Sequence, residues 1–469
     1  MRRQTVYPIL ALCIASSVAL SGCNIPSHIP GLSSKSNAKA ESHQHGRQTA
    51  KGKRTAARSS QTKGAATADK QDSHAKNKSI HKNKHGDSLH VGEGIHETES
   101  YNVKATANDE VSPLSGETTP RPHQKLPKRV KAKGIYVSGW VAGNEEMLEK
   151  LIRLADRTDL NAFVIDVKND FGNVTYQSNI PLVKQLRADA DPPIHDISAL
   201  LQKLKSKNIY TIGRIVTFKD PHLSRHQQQW AMRTKSGKLW RDSGKKSWAD
   251  PYREEVWQYN IDIAKEAVAH GFDEIQFDYV RFPDNANKVD REVAYANEQQ
   301  WTKAENVSQF LQKARKEINE AGAYVSADVF GLVTSAADDM GIGQIWGQIA
   351  QAVDYISPMT YPSHYSSGLY GISNPDLNPY QVIRQAMIDA KSKNEEIHEE
   401  DAYAVAVLDE QANRRVAAIR PWLQNFTATW IKPHRRYGTA EVKEQIRALK
   451  DEGIEEFLLW SPNCRYTYE

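Results

Sequence analysis

The chain has 469 residues, 62 Lys and Arg against 57 Asp and Glu, a formal net charge of +5, and three cysteines. The charge is unevenly spread: residues 24–133 hold 20 basic against 10 acidic side chains, whereas residues 134–469 carry a net charge of −7. An acidic C-terminal part excludes nucleic acid as its expected partner, and a single cysteine there, Cys464, excludes an intramolecular disulfide or a cysteine-based metal site.

At the N-terminus Arg2 and Arg3 precede an apolar run over residues 6–20, which ends in Leu20-Ser21-Gly22-Cys23. This is the pattern of a signal peptide over residues 1–23 closing in a lipobox. The run is short of the roughly 20 residues a membrane span requires. In bacterial lipoproteins of this pattern the cysteine, here Cys23, is diacylated and becomes the mature N-terminus, so the expected location is the cell envelope, lipid-anchored and facing outward. Residues 24–133 are rich in Lys, Arg, His, Ser, Thr, Ala, Gly and Gln, lack apolar periodicity, and read as a disordered basic tether. Such a coil reaches roughly 55 to 60 Å. Beside a membrane it would attract anionic lipid or wall polymers, or act as a plain solvated spacer. Its histidines are too irregularly spaced for a dedicated metal site.

From residue 134 onward short apolar runs alternate with amphipathic stretches. Strands are expected over residues 134–140, 162–168, 210–217, 274–281, 324–330, 354–361, 416–424 and 456–461. Helices are expected over 145–157, 196–205, 253–270, 304–320, 342–352, 380–391 and 440–451. Eight strands with a helix in nearly every gap predict an α/β fold of the (β/α)8 TIM-barrel class spanning residues 134–469. An open doubly wound sheet is the alternative, disfavoured because no Gly-rich nucleotide turn follows the first strand. The long excursion 220–252 contains Trp230, Trp240 and Trp248, which would either stack on sugars or pin the loop.

Barrel chemistry collects at the C-terminal ends of strands, and period-two alternation selects the inward residues. The second strand puts Asp166 and Lys168 on one face, as an ion pair or as substrate contacts. Arg214 lies within the third, where an unpaired charge would be costly, so a carboxylate partner is expected. The fourth runs Gln276-Phe277-Asp278-Tyr279-Val280-Arg281 and places Asp278 at the strand end beside Arg281; the fifth places Asp328 likewise. Two carboxylates on adjacent strand ends are what glycoside hydrolysis requires, one to attack or steady the anomeric carbon and one to protonate the leaving oxygen. Either could instead serve to neutralise Arg214 or Arg281. Tyr361 and His364, near the same mouth, are expected as substrate contacts or a pKa-tuning partner; Gln424 ends the seventh strand as a candidate contact; Trp422 and Trp460 would floor a sugar subsite or belong to the core; and Arg214 and Arg281 are further candidate substrate contacts. No cofactor or metal is expected, since only His364 is placed as a ligand would be.

The segments Gly134-Ile135-Tyr136-Val137, Phe277-Asp278-Tyr279-Val280-Arg281-Phe282-Pro283, Ser357-Pro358-Met359-Thr360-Tyr361-Pro362 and Arg420-Pro421-Trp422-Leu423-Gln424 resemble the putative glycosyl hydrolase domain of bacterial envelope proteins. That resemblance runs from Lys133 to the C-terminus. It implies a TIM barrel related to retaining α-glycosidases, with Asp278 as the nucleophile-type aspartate and Asp328 as the acid/base candidate, although many related barrels use glutamate there. Three functions follow: a glycosidase acting on an extracellular or wall polysaccharide, a carbohydrate-binding envelope lipoprotein without turnover, and a metal-dependent hydrolase on the same barrel. The first fits the residues best, and the third worst.

Overall fold

The computed structural model describes residues 125–408 and 415–469. The expected signal peptide, Cys23 and the tether up to residue 124 lie outside the described residues.

Eight parallel strands close into a barrel: β1 (Lys133–Val137), β2 (Ala162–Lys168), β3 (Tyr210–Val216), β4 (Glu274–Asp278), β5 (Tyr324–Phe330), β6 (Tyr355–Met359), β7 (Trp422–Gln424) and β8 (Phe457–Trp460). They neighbour one another in chain order, β8 pairs with β1, and the pairing Trp422↔Met359 joins β7 to β6. A two-residue strand, Ala418–Ile419, pairs with the start of β6, so the expected run 416–424 is interrupted at Arg420-Pro421. Proline there removes a ladder donor.

Among the helices in the gaps, seven follow the barrel strands: α1 (Glu145–Arg157), α2 (Ile197–Ser206), α3 (Glu254–His270), α4 (Lys303–Glu320), α5 (Trp346–Ala352), α6 (Pro379–Leu408) and α7 (Thr439–Asp451), with shorter helical turns in the loops. Local chemistry sets their starts. Asn144 and Asp196 accept the Met147 and Ala199 N–H groups, and Thr302 with Glu305 forms a reciprocal capping box. In α1 the buried Leu148, Leu151, Ile152 and Ala155 follow the i, i+3, i+4, i+7 spacing of a stripe packed on the sheet. Gly134 is required by closeness, since a Cβ on it would stand 2.6 Å from Leu458 Cδ2.

The barrel interior is polar at its N-terminal end. Arg420 donates from Nη1 to Glu274 Oε1 and Oε2 at 2.8 and 3.0 Å and from Nε to Glu456 at 2.9 Å, and its guanidinium lies 3.7 Å from the Tyr355 ring centroid. Tyr210 adds a hydroxyl donor to Glu274 at 3.1 Å. Arg129 covers this end over the Tyr324 and Tyr355 rings, and Pro127 O accepts the Tyr324 hydroxyl at 2.8 Å. Packing against the barrel therefore starts some residues before 134. Halfway up, Gln276 reaches across to Ser357 at 3.2 Å. Successive inward residues of β4, namely Glu274, Gln276 and Asp278, thus belong to three stacked layers, and the third opens at the C-terminal mouth.

Candidate active site

Arg214 is the hub of that upper layer. It is 1% exposed, and its guanidinium donates to Asp278 Oδ2 from Nε at 2.9 Å and from Nη2 at 2.6 Å, to Asp166 Oδ1 at 2.7 Å, and to Asp170 Oδ2 at 3.3 Å. The planar fork suits this multiple recognition, and charge-assisted bonds of this length are the strong ones. Asp166 also accepts the Tyr136 hydroxyl at 2.7 Å, and burial raises its proton affinity despite the guanidinium. Arg214 also lies 5.6 and 5.7 Å from the ring centroids of Tyr136 and Trp460, two rings that pack on each other with centroids 4.3 Å apart.

Asp278 ends β4. Its Oδ1 accepts the backbone N–H of Tyr279 at 2.6 Å, and Tyr279 has φ +49°, an uncommon conformation for an aromatic residue, which breaks the strand sharply after the aspartate. The expected strand 274–281 accordingly stops at Asp278, and Arg281 lies in the turn beyond. There Arg281 stacks over Phe330 at 4.3 Å, bonds to the Phe282 carbonyl and pairs with Asp284 at 3.1 Å.

Asp328 faces the same mouth from β5. The register Phe277↔Ala327 makes Asp278 and Asp328 the next pair along neighbouring strands, whose spacing is about 4.8 Å. Only 2% exposed, Asp328 accepts the Trp422 indole N–H at 2.7 Å. Burial, and then the charge of Asp278, push its pKa well above the ordinary carboxylate range, while the Trp422 bond opposes the shift. Asp328 therefore holds its proton more tightly than an ordinary carboxyl group, because burial and the neighbouring charge of Asp278 both disfavour its ionised form. Tyr361, 5% exposed, has its hydroxyl pKa raised by burial and by both of these aspartates. Beside it His364 is exposed, its ring 5.4 Å from that of Tyr361 and its Nδ1 2.9 Å from Ser363 Oγ.

Two expected contacts are not at the mouth. A β-bulge separates Asp166, paired with Arg214, from Lys168, paired with Ile215, so the two do not share a face. Lys168 is fully buried on the helix side and donates to Asp220 at 2.6 Å, an internal ion pair that leaves nothing for substrate. Gln424 is also fully buried, and its amide is spent on Asp376, Phe426 O and the Ser363 N–H. It fixes the loop that carries Tyr361 and His364. Trp460 does line the floor, edge-on to Trp422 at 5.7 Å, with its indole N–H lacking a partner among the described residues.

Sequence reasoning did not single out Tyr136, Asp170 or Lys219. Asp170 is 23% exposed at its side chain, and it is four residues past Asp166 in a turn that alternation does not describe. Lys219 stands over the Tyr279 ring at 4.5 Å and donates to its hydroxyl at 3.3 Å, with burial lowering its pKa. In the long loop, Trp240 and Trp248 are buried and donate to Glu292 and Asp242 at 2.9 and 3.0 Å. They pin the loop and offer no sugar platform.

No curated protein matches the chain in sequence. Among solved structures it is similar to a hypothetical protein from Ruminiclostridium thermocellum ATCC 27405, with 38% identity over 44% of this chain and 98% of that one and a TM-score of 0.38. It is similar to the PgaB (BpsB) glycoside hydrolase domain from Bordetella bronchiseptica at 13% identity over 71% of this chain and 95% of that one, TM-score 0.49. The spore cortex-lytic enzyme SleL of Bacillus megaterium QM B1551 is similar at 12% identity over 73% of each chain, TM-score 0.40. Residues 134–466 match the family described as "Putative glycosyl hydrolase domain". That match spans well over half of the chain, and the protein belongs to this glycosyl hydrolase domain family.

Proposed function

We propose that the protein is a glycosidase that cleaves an extracellular or cell-wall polysaccharide with Asp278 and Asp328. The observation that carries the reading is the pair itself: two aspartates on adjacent strand ends, one gripped by a guanidinium and the other buried, with its pKa raised by that burial. Asp328 gives its proton to the glycosidic oxygen as the bond to the anomeric carbon breaks, so the leaving alcohol departs neutral. Asp278 attacks the same carbon and forms a glycosyl ester. Asp328, now a carboxylate, takes a proton from water, the water oxygen bonds to the anomeric carbon, and Asp278 is released. A separation of roughly 5 to 5.5 Å between the two carboxyl groups goes with this double displacement, and one of roughly 6.5 to 9.5 Å with inversion. Arg214 holds Asp278 in line, Tyr136 and Asp166 hold Arg214, and Tyr361 and Trp460 line the sugar's place.

The same reading takes the chain to the outer face of a bacterial membrane through a lipidated Cys23, with the basic tether as a spacer that also attracts anionic polymer. The test is to incubate the protein with a panel of exopolysaccharides and wall glycans and to follow newly formed reducing ends by NMR. Products that first appear with the anomeric configuration of the cleaved bond support the mechanism, and products of opposite configuration contradict the role given to Asp278. A second reading, glycan binding without turnover, draws on the 2% exposure of Asp328; retention of a glycan with no new reducing ends would favour it.

A further inference from the structure

The loop between β3 and α3 has a charge opposite to that of the rest of the barrel domain. Residues 219–253 contain nine Lys and Arg against three Asp and no Glu, within a segment 134–469 whose net charge is −7. The loop stands on the C-terminal face, tied down by the short antiparallel pairing of Arg233–Thr234 with Val293–Ala294 and by the buried Trp240 and Trp248. Its basic groups Lys235, Lys238, Arg241 and Lys245 are exposed. Among the described residues none of these four, nor Lys219 or Lys246, has a carboxylate within ion-pairing distance, although neighbouring surfaces carry many such pairs. Lys246 lies 4.5 Å over the ring of Phe171, which is itself 40% exposed beside Asp170. Lys219, at the inner end of the loop, places its ammonium against Tyr279, the residue after Asp278. The cations thus continue from the exposed loop into the mouth.

An exposed run of like charges repels itself unless something anionic answers it, and its field extends about 8 to 10 Å at ordinary ionic strength. A sugar ring seated on Phe171 with an acidic substituent under Lys246 would meet both an apolar face and a cation. We propose that the polymer entering this mouth is a polyanion, a glycan bearing carboxylate or phosphate groups, which the basic loop collects and Lys219 aligns beside Asp278. The inference deepens the glycosidase reading and rests on it only for the claim that the bound glycan is a substrate.

The experiment is a lysine-acylation footprint of the full chain, read by peptide mass spectrometry, with polygalacturonate, polyphosphate, neutral dextran or phosphatidylglycerol vesicles. Tether lysines in the same spectra separate general charge attraction from the loop. Protection of Lys219, Lys235, Lys238, Lys245 and Lys246 by polygalacturonate but not dextran is expected and identifies a carboxylate site; protection by polyphosphate alone identifies a phosphate site. The Lys235→Gln, Lys238→Gln, Arg241→Gln, Lys245→Gln variant should need about tenfold more polymer for half protection of Lys219, as follows from removing four like charges at low salt. Equal protection by dextran, no protection by either polyanion, protection of the loop by vesicles alone, or an unaltered variant would each overturn the proposal. Reducing ends measured in the same tubes address catalysis separately: protection without cleavage keeps the anion site and makes the glycan a ligand.

Discussion

Replacing Arg214 by Met would leave Asp166 and Asp278, 3% and 7% exposed, without the cation that both bond at 2.6 to 2.9 Å. Breaking a buried pair by removing one partner costs about 3–5 kcal/mol, chiefly because the other charge is stranded. The two aspartates share one guanidinium, so a single loss of that size is expected at pH 7.5, and the more exposed Asp170 adds at most about 1 kcal/mol. The sign of the pH dependence follows. Without Arg214 the buried carboxylates hold protons more tightly in the folded than in the unfolded chain, so their cost is absent in acid and grows as pH rises. The deficit relative to wild type should therefore be largest at pH 7.5 and shrink at pH 4.5. Urea unfolding at both values, reading the shift in midpoint with a common m-value, measures it. A deficit below about 1 kcal/mol at pH 7.5, or one equal at both pH values, would refute the claim that Arg214 is the electrostatic keystone of the mouth.

Asp328→Asn should be inactive yet more stable than wild type at neutral pH, because the raised pKa of Asp328 means the folded state forfeits stability as pH climbs past the ordinary carboxylate range. The gain over wild type should vanish near pH 3 and increase by at most about 1.4 kcal/mol per pH unit, as urea titrations would reveal. Trp422→Phe deletes the one indole donor that lowers the Asp328 pKa, so the alkaline limb of kcat/KM should move to higher pH; a limb that stays put or moves down contradicts the general-acid role. At the opposite end of the barrel, Glu274→Gln should cost less than the about 3–5 kcal/mol of a fully stranded charge, because Glu456 still pairs with Arg420, and Glu274→Leu combined with Arg420→Met and Glu456→Gln should recover most of that loss in the same unfolding assay.

The order of the eight barrel strands and of the seven helices between them was readable because parallel strands buried on both faces and helices with one apolar stripe leave distinct periods, whereas the short helices and the two-residue strands of the loops leave none. The residues of α1 are those expected, and α2, α3, α4 and α7 begin within a residue of expectation. What alternation does not encode is a change of phase. The bulge after Asp166 turns Lys168 outward, and a two-residue count along the sequence has no means of registering it. The aspartate pair was legible for the converse reason: β4 and β5 run without interruption up to Asp278 and Asp328, so counting by twos from Glu274 and Tyr324 reaches the mouth. Gln424 was misjudged because its partners, Asp376 and the Ser363 N–H, come from a loop of 3-10 turns with no periodic signature. Partnership across the barrel was illegible in general. That Arg214 needs a carboxylate follows from its burial, but that it takes three depends on the closure of β2, β3 and β4 around it.

Asp278 and Asp328 are proposed as nucleophile and acid/base on a polysaccharide. The most direct test is hydrolysis of a glycan cleaved by the wild type, compared with Asp278→Asn and Asp328→Asn in the full chain after each variant is shown by circular dichroism to be folded. A loss of about a thousandfold or more is expected in both, with azide or another small nucleophile restoring turnover of an activated aryl glycoside to the Asp328 variant, whose glycosyl ester still forms. Near-wild-type hydrolysis by either folded variant would contradict these roles.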